Sequence, residues 1–267
     1  MDNVICSDKN PLIKRLRKLQ QKKYRDSSGQ FVIEGINLVE EAIQKGIAMD
    51  SLLISDTFSE KERLSNLDLT GIRYEIIQHT LFEKLTDARN GVGILAIVNK
   101  PRYAKAEVYR FMQNGANCIV LDRLQDPGNI GTIVRTTVAA GYEAVIVLKG
   151  TADIYSPKVL RATAGMVFDI PILFLSGTEE LVKLADEADK KIAVTTPIGG
   201  KPYYDCDLSE DIFLVIGNEG NGISDELIDA AHVRVTLPMC GSIESLNAAV
   251  SAAILMYERV RPKRNER

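Results

Sequence analysis

Metal-binding side chains are scarce in this sequence. Cys6, Cys118, Cys206 and Cys240 lie far apart with no Cys-x-x-Cys pair, and His79 and His232 are the only histidines beside them. A zinc site is therefore not expected, metal catalysis has no support, and cysteines used in this way suit the cytosol. Long apolar runs are missing too. No window approaches the roughly 20 residues of a membrane span, and Met1–Pro11 lacks the apolar stretch of a secretory signal. No early Gly-x-Gly-x-x-Gly follows the first strand, which counts against a Rossmann oxidoreductase.

What remains is an ordinary globular composition, 45% hydrophobic and 26% charged over 267 residues, enough for one large or two modest domains. The net charge of −3 hides an asymmetry. Lys9, Lys14, Arg15, Arg17, Lys18, Lys22, Lys23 and Arg25 face only Asp2 and Asp8 in the first 25 residues, a local balance of +6. Leu12, Ile13, Leu16 and Leu19 sit at helical spacing among them. Two readings stay open: a solvated amphipathic helix, or one whose Lys14, Arg15, Arg17, Lys18, Lys22, Lys23 and Arg25 contact nucleic-acid phosphates.

From Phe31 the pattern alternates. Strands are expected at 31–33, 52–54, 74–77 and 93–98, with helices around 38–43, 60–67 and 81–85. This predicts a small βαβ-type α/β domain over 1–100, closed by Asn99-Lys100-Pro101. After a linking helix at 104–112, a second domain over 105–261 offers apolar strands at 116–121, 144–148, 170–175, 192–195, 212–216 and 233–237, with helices between them. That is an open parallel sheet covered on both faces. Residues 262–267 read as a polar tail.

Three strand ends stand out. Ala116–Leu121 runs into Asp126-Pro127-Gly128-Asn129-Ile130-Gly131, and a helix carrying Arg135 among Thr132, Thr136 and Thr137 follows. By position alone Asn129 is an N-cap, and Arg135 a snorkelling or salt-bridged arginine. Ile212–Ile216 breaks into Gly217-Asn218-Glu219-Gly220-Asn221-Gly222, a weak nucleotide motif by itself. The next strand leads through Leu237-Pro238-Met239 to Ser245-Leu246-Asn247, which opens a helix of small and apolar residues. Loops at the carboxyl ends of parallel strands, rich in residues that admit close backbone approach, make a candidate ligand site.

These three motifs, in this order, resemble those of the SpoU/TrmH family, RNA ribose 2′-O-methyltransferases of the SPOUT superfamily. The Phe31-Val32-Ile33-Glu34-Gly35 opening looks like that of the family's N-terminal RNA-binding domain. The resemblance implies a deep trefoil knot in the second domain, S-adenosylmethionine as methyl donor, and a homodimer whose site is completed across the interface. It implies a cofactor site at Thr195, Thr196, Gly217, Asn218, Gly220, Leu237, Met239, Leu246 and Ala248, and catalytic positions at Arg135, Asn129, Glu219, Ser245 and Asn247. The N-terminal domain favours ribosomal over transfer RNA; a silent RNA-binding factor of the same fold is the other alternative. This chain departs from the family pattern at Asn90–Gly93, Asn218 and Ala248-Ala249. A guanidinium is charged at any accessible pH, so Arg135 is expected to hold a phosphate or stabilise alkoxide charge rather than act as a base.

Overall fold

A computed structural model describes residues 4–86, 93–113, 115–197, 199–243 and 245–261; the expected polar tail and 90–92 of the Asn90–Gly93 loop lie outside them. In chain order the elements are α1 (Pro11–Leu19), α2 (Lys22–Ser28), β1 (Gln30–Glu34), α3 (Ile36–Gln44), β2 (Met49–Ser55), α4 (Lys61–Ser65), β3 (Tyr74–Ile77), α5 (His79–Phe82) and β4 (Ile94–Asn99). Then come α6 (Lys105–Arg110), β5 (Cys118–Leu121), α7 (Pro127–Ala139), β6 (Ala144–Leu148), α8 (Pro157–Thr163), β7 (Ile172–Leu175) and α9 (Thr178–Glu187). The chain continues through β8 (Lys191–Thr195), β9 (Lys201–Pro202), β10 (Ile212–Ile216), α10 (Asp225–Asp229), β11 (Val233–Thr236) and α11 (Ala248–Tyr257). Contacts divide it into two units: Met1–Pro101 with Asp153–Phe168, and Arg102–Ala152 with Asp169–Arg267.

In the first unit the sheet order is β1-β4-β2-β3. β4 runs antiparallel to both β1 and β2, while β2 and β3 are parallel. The unit is therefore a mixed sheet rather than a simple βαβ succession. A short apolar run such as Ile94–Val98 carries no signal for direction. α1 begins where Asn10 accepts from the Leu12 amide and Pro11 takes the first turn. Its buried stripe, Ile13, Leu16 and Leu19, packs with Leu53, Ile77, Phe82, Leu95 and Ile97. Asp153–Phe168, which the sequence assigned to the second domain, completes this unit. Tyr155 stacks on Phe31 with ring centroids 4.5 Å apart, Arg161 pairs with Glu34 at 3.1 Å, and Asp153 with Arg25 at 2.6 Å.

The second unit holds a seven-stranded sheet of order β7-β6-β5-β10-β8-β11-β9, every neighbouring pair parallel. Helices cover it as expected of strands apolar on both faces: β5, β6 and β10 are buried throughout. The two-residue strand β9 was not foreseen, because Lys201-Pro202 carries no apolar alternation. Since all the strands are parallel, the loops after β5, β8, β10 and β11 emerge at one end of the sheet. α11 lies against α7, where the buried Thr137 hydroxyl meets Met256 sulfur at 3.6 Å. Among the described residues no helix is long and apolar enough to cross a membrane.

Candidate active site

The amino end of α7 organises the site. Asp126, not Asn129, is the N-cap: its carboxylate accepts from the Asn129 amide at 2.8 Å, with Pro127 at the first helical position. This corrects the expectation that Asn129 caps the helix. Asn129 lies one turn inside, largely buried, and its side chain is free for longer-range contacts. Its Nδ2 donates to Glu219 at 3.1 Å, and its Oδ1 accepts from Asn247 Nδ2 at 2.8 Å. Asn247 in turn caps α11, its Oδ1 accepting from the amides of Ala249 (2.9 Å) and Val250 (3.3 Å). Glu219 also accepts from the backbone N–H groups of Gln125 (3.0 Å) and Asp126 (2.9 Å). Three loops distant in sequence are thus joined by one directed chain of hydrogen bonds. Partial desolvation of the otherwise exposed Glu219 carboxyl would raise it, but the Gln125 and Asp126 amides and the Asn129 side chain outweigh this and hold the group below the usual glutamate range.

The Gly217–Ser224 loop is closed on itself. Asn218 and Gly222 exchange backbone hydrogen bonds at 3.0 and 2.9 Å, and Asn218 Oδ1 accepts from the amides of Gly220 and Asn221. A Cβ on Gly217 would lie 2.5 Å from backbone atoms of Gly222 and Ile223. The glycine is therefore required by the loop's own closure, whereas the sequence suggested ligand approach as the reason. Gly220 has no such restriction, its nearest neighbour being Asn218 Oδ1 at 3.7 Å. Asp122, Arg123 and Gln125 escaped sequence reasoning, since nothing local marks them as site residues. Arg123 adopts a left-handed backbone (φ 58°), forks onto Asp122 at 3.0 and 3.2 Å, and turns its carbonyl to accept from Asn218 Nδ2 at 2.8 Å. Asp122 also accepts from the Ser224 amide at 3.0 Å, pinning the far end of the loop.

Thr195 and Thr196 sit at the end of β8, where the Thr196 amide donates to Val235 and its carbonyl accepts from the Thr236 hydroxyl. Leu237, Met239 and Ala248 are half-buried, and Ser245 and Leu246 are exposed. Arg135 is not brought into the Asn129–Glu219–Asn247 network. Six residues beyond Asn129, it points about 120° around α7 and is exposed, as is Ser245.

The basic residues of the first unit divide. Lys14, Lys18, Lys22 and Lys23 are exposed. Arg15 is engaged by Asp50 and Gln30, and Arg17 by Asp8. Arg25 is 4% exposed and spent on Asp153 and the Leu19 carbonyl. A buried, fully engaged guanidinium cannot meet a phosphate, so Arg25 leaves the set of RNA-contacting candidates.

Comparison with known proteins gives the family. Residues 116–257 match the SpoU rRNA Methylase family, and residues 10–96 an MRM3-like substrate binding domain. The Bacillus subtilis 23S rRNA (guanosine(2553)-2′-O)-methyltransferase RlmP is 35% identical over 95% of this chain and 97% of its own. An AdoMet-bound rRNA methyltransferase from Sinorhizobium meliloti superposes with a TM-score of 0.84 at 31% identity, covering 96% of this chain and 97% of that one. The SpoU methyltransferase AviRb from Streptomyces viridochromogenes, in complex with AdoMet, gives 0.85 at 26% identity over 97% of this chain and all of its own. With both units matched and the three motif loops joined in space, the chain belongs to the SpoU rRNA methylase family of RNA methyltransferases.

Proposed function

We propose that the protein transfers a methyl group from S-adenosylmethionine to a ribose 2′-hydroxyl of ribosomal RNA of the 23S type. The observation that carries this reading is the Asn247–Asn129–Glu219 chain, which locks the three motif loops together at the carboxyl end of the parallel sheet. The residues present suit the donor. Half-buried Leu237 and Met239 and exposed Leu246 supply apolar surface for an adenine face. Main-chain groups around Thr196, Gly217 and Leu237 would hold its edge, with Asn218, Gly220 and Ala248 beside it. Bound there, the sulfonium supplies an electrophilic methyl group. Holding it in line with the hydroxyl is worth on the order of 7–11 kcal/mol of barrier.

The chain's own groups do the rest. Glu219 and Asn129 fix the loops, Asn247 fixes the entry of α11, and Ser245 would hold the donor's carboxylate end. Arg135 holds the neighbouring phosphate or stabilises charge developing on the 2′ oxygen, and the proton leaves to water or a phosphate oxygen. Arg135 stands outside the network of its own chain, and α11 exposes Val250 and Tyr257. Both features support a homodimer in which one copy's arginine completes its partner's site. β10 lies between β5 and β8, and α11 lies against α7; we read this C-terminal segment as the knotted part of the fold. Lys14, Lys18, Lys22 and Lys23 recruit the RNA, and the reaction takes place in the cytoplasm without a metal.

The test is tritiated methyl transfer from S-adenosylmethionine to unmodified 23S rRNA and to tRNA, with Arg135→Ala alongside. Alkali-resistant label at one rRNA ribose, lost in R135A, is the expected result. Label in tRNA alone overturns the substrate. Absence of both cofactor binding and label overturns the activity.

A further inference from the structure

The short edge strand β9 contributes nothing to the site described above, yet it ends beside it. β9 pairs in parallel with β11, Val235 opposite Lys201 and Thr236 opposite Pro202. Its carboxyl end therefore opens at the same end of the sheet as the loops bearing Thr196, Gly217 and Leu237. There the chain places Tyr203 and Tyr204 together, ring centroids 5.2 Å apart and planes at 71°. Tyr204 is 52% exposed, so core packing does not account for its ring.

The pair is firmly anchored. A Cβ on Gly200 would fall 2.5 Å from Thr236 Oγ1 and 2.9 Å from the Arg234 carbonyl, so the backbone entering β9 lies flush on β11. After the pair, the Cys206 thiol donates back to the Pro202 carbonyl at 3.5 Å and closes the turn. Adjacent strands are about 4.8 Å apart, which sets the pair one strand from the Leu237 loop and about 14 Å from the Gly217 loop. Exposed aromatic faces bind the bases of single-stranded RNA by stacking, and an edge-to-face neighbour holds the stacking ring in place. Asp205 and Asp207 outnumber the exposed Lys201 next to the pair and disfavour a phosphate there, which leaves a base as the matching group.

We propose that Tyr203 and Tyr204 form a stacking subsite for a base of the RNA neighbouring the methylated nucleotide, Tyr204 offering the face and Tyr203 bracing it. The inference rests on the RNA methyltransferase reading of the adjacent site. It gives β9 a part in substrate recognition.

The sequence contains no tryptophan, so Tyr204→Trp installs a single fluorophore. Its emission is expected to be quenched by unmodified 23S rRNA transcript and left unchanged by S-adenosylmethionine alone. Tyr204→Ala should raise KM for the transcript about 5- to 150-fold, the range for losing one stacked base, with the dissociation constant of S-adenosylmethionine unchanged. Tyr204→Phe should behave like the parent, because the ring and not the hydroxyl is used. Quenching by S-adenosylmethionine alone, or a Y204A variant weakened only toward it, would assign the pair to the cofactor and overturn the proposal. Unmoved emission with unchanged KM in Y204A, while the parent methylates the transcript, overturns this inference alone. Failure of the parent to bind or methylate any RNA removes the reading beneath it as well.

Discussion

Replacing Asn129 by Asp tests the hydrogen-bonded chain more sharply than deleting it. Asn129 donates from Nδ2 to Glu219 Oε1 at 3.1 Å and accepts from Asn247 Nδ2 at 2.8 Å. In Asn129→Ala both bonds vanish, and the amide of Asn247 and the carboxylate of Glu219 can turn to water. In Asn129→Asp the acceptor side survives, but the donor becomes a second carboxylate oxygen facing Glu219. At that distance two unit charges repel by about 5 kcal/mol at an effective dielectric of 20. Glu219 is open to solvent, and screening brings the effective penalty nearer 2 kcal/mol. N129D keeps the Asn247 bond that N129A loses, worth about 1 kcal/mol, so relative to N129A it should methylate RNA about 5-fold more slowly at pH 7.5.

The pH dependence has a defined sign. In the parent, Glu219 is held below the ordinary glutamate range, so its contribution is complete above about pH 4.3 and is lost as pH falls through the lower folded value. In N129D, two facing carboxylates raise one of the pair, and the shared proton restores a donor. The ratio of N129D to N129A activity should then climb as pH is lowered from 8 to 5. Glu219→Gln added to N129D should recover part of the loss, since its amide can donate to Asp at position 129. The assay is methyl transfer under single-turnover conditions, with stability checked by urea unfolding. Equal rates for N129D and N129A at every pH would refute the view that Asn129 acts by donating to Glu219.

Two further substitutions probe the scaffold. Gly217→Ala should destabilise by about 1–3 kcal/mol and weaken cofactor binding, because its Cβ would meet backbone rather than a movable side chain. Gly220→Ala, with 3.7 Å of room, should be near neutral, and similar titration curves for the two would count against the closed-loop account. Asp153→Ala leaves the buried Arg25 guanidinium without its carboxylate and should cost about 3–5 kcal/mol in denaturant unfolding. The Arg25→Met/Asp153→Ala pair should regain part of it, and a loss below about 1 kcal/mol in D153A would mean that solvent reaches the arginine.

Much was determined by the sequence alone, because the governing signals are local. Unbroken apolar runs such as Val145–Leu148 and Ile212–Ile216 can only be buried strands or short buried helix segments, and flanking turn residues select strands. The spacing of Leu12, Ile13, Leu16 and Leu19 marked the helix that α1 forms. The motifs around Asn129, Glu219 and Asn247 stood out as residue types at fixed spacing, and the family could be read from them. Tertiary structure decided the rest. Only long-range pairing places β10 between β5 and β8, turns β4 antiparallel, and sends Asp153–Phe168 to the first unit. Asn129 read as a cap because its reach to Glu219 and Asn247 spans 90 and 118 residues, distances at which periodicity carries no information. Arg25 read as a surface cation for the same reason: an arginine's burial depends on whether a carboxylate arrives from elsewhere, and Asp153 lies 128 residues away. Local patterns fix which element forms, while partner and depth are set only when the chain closes on itself.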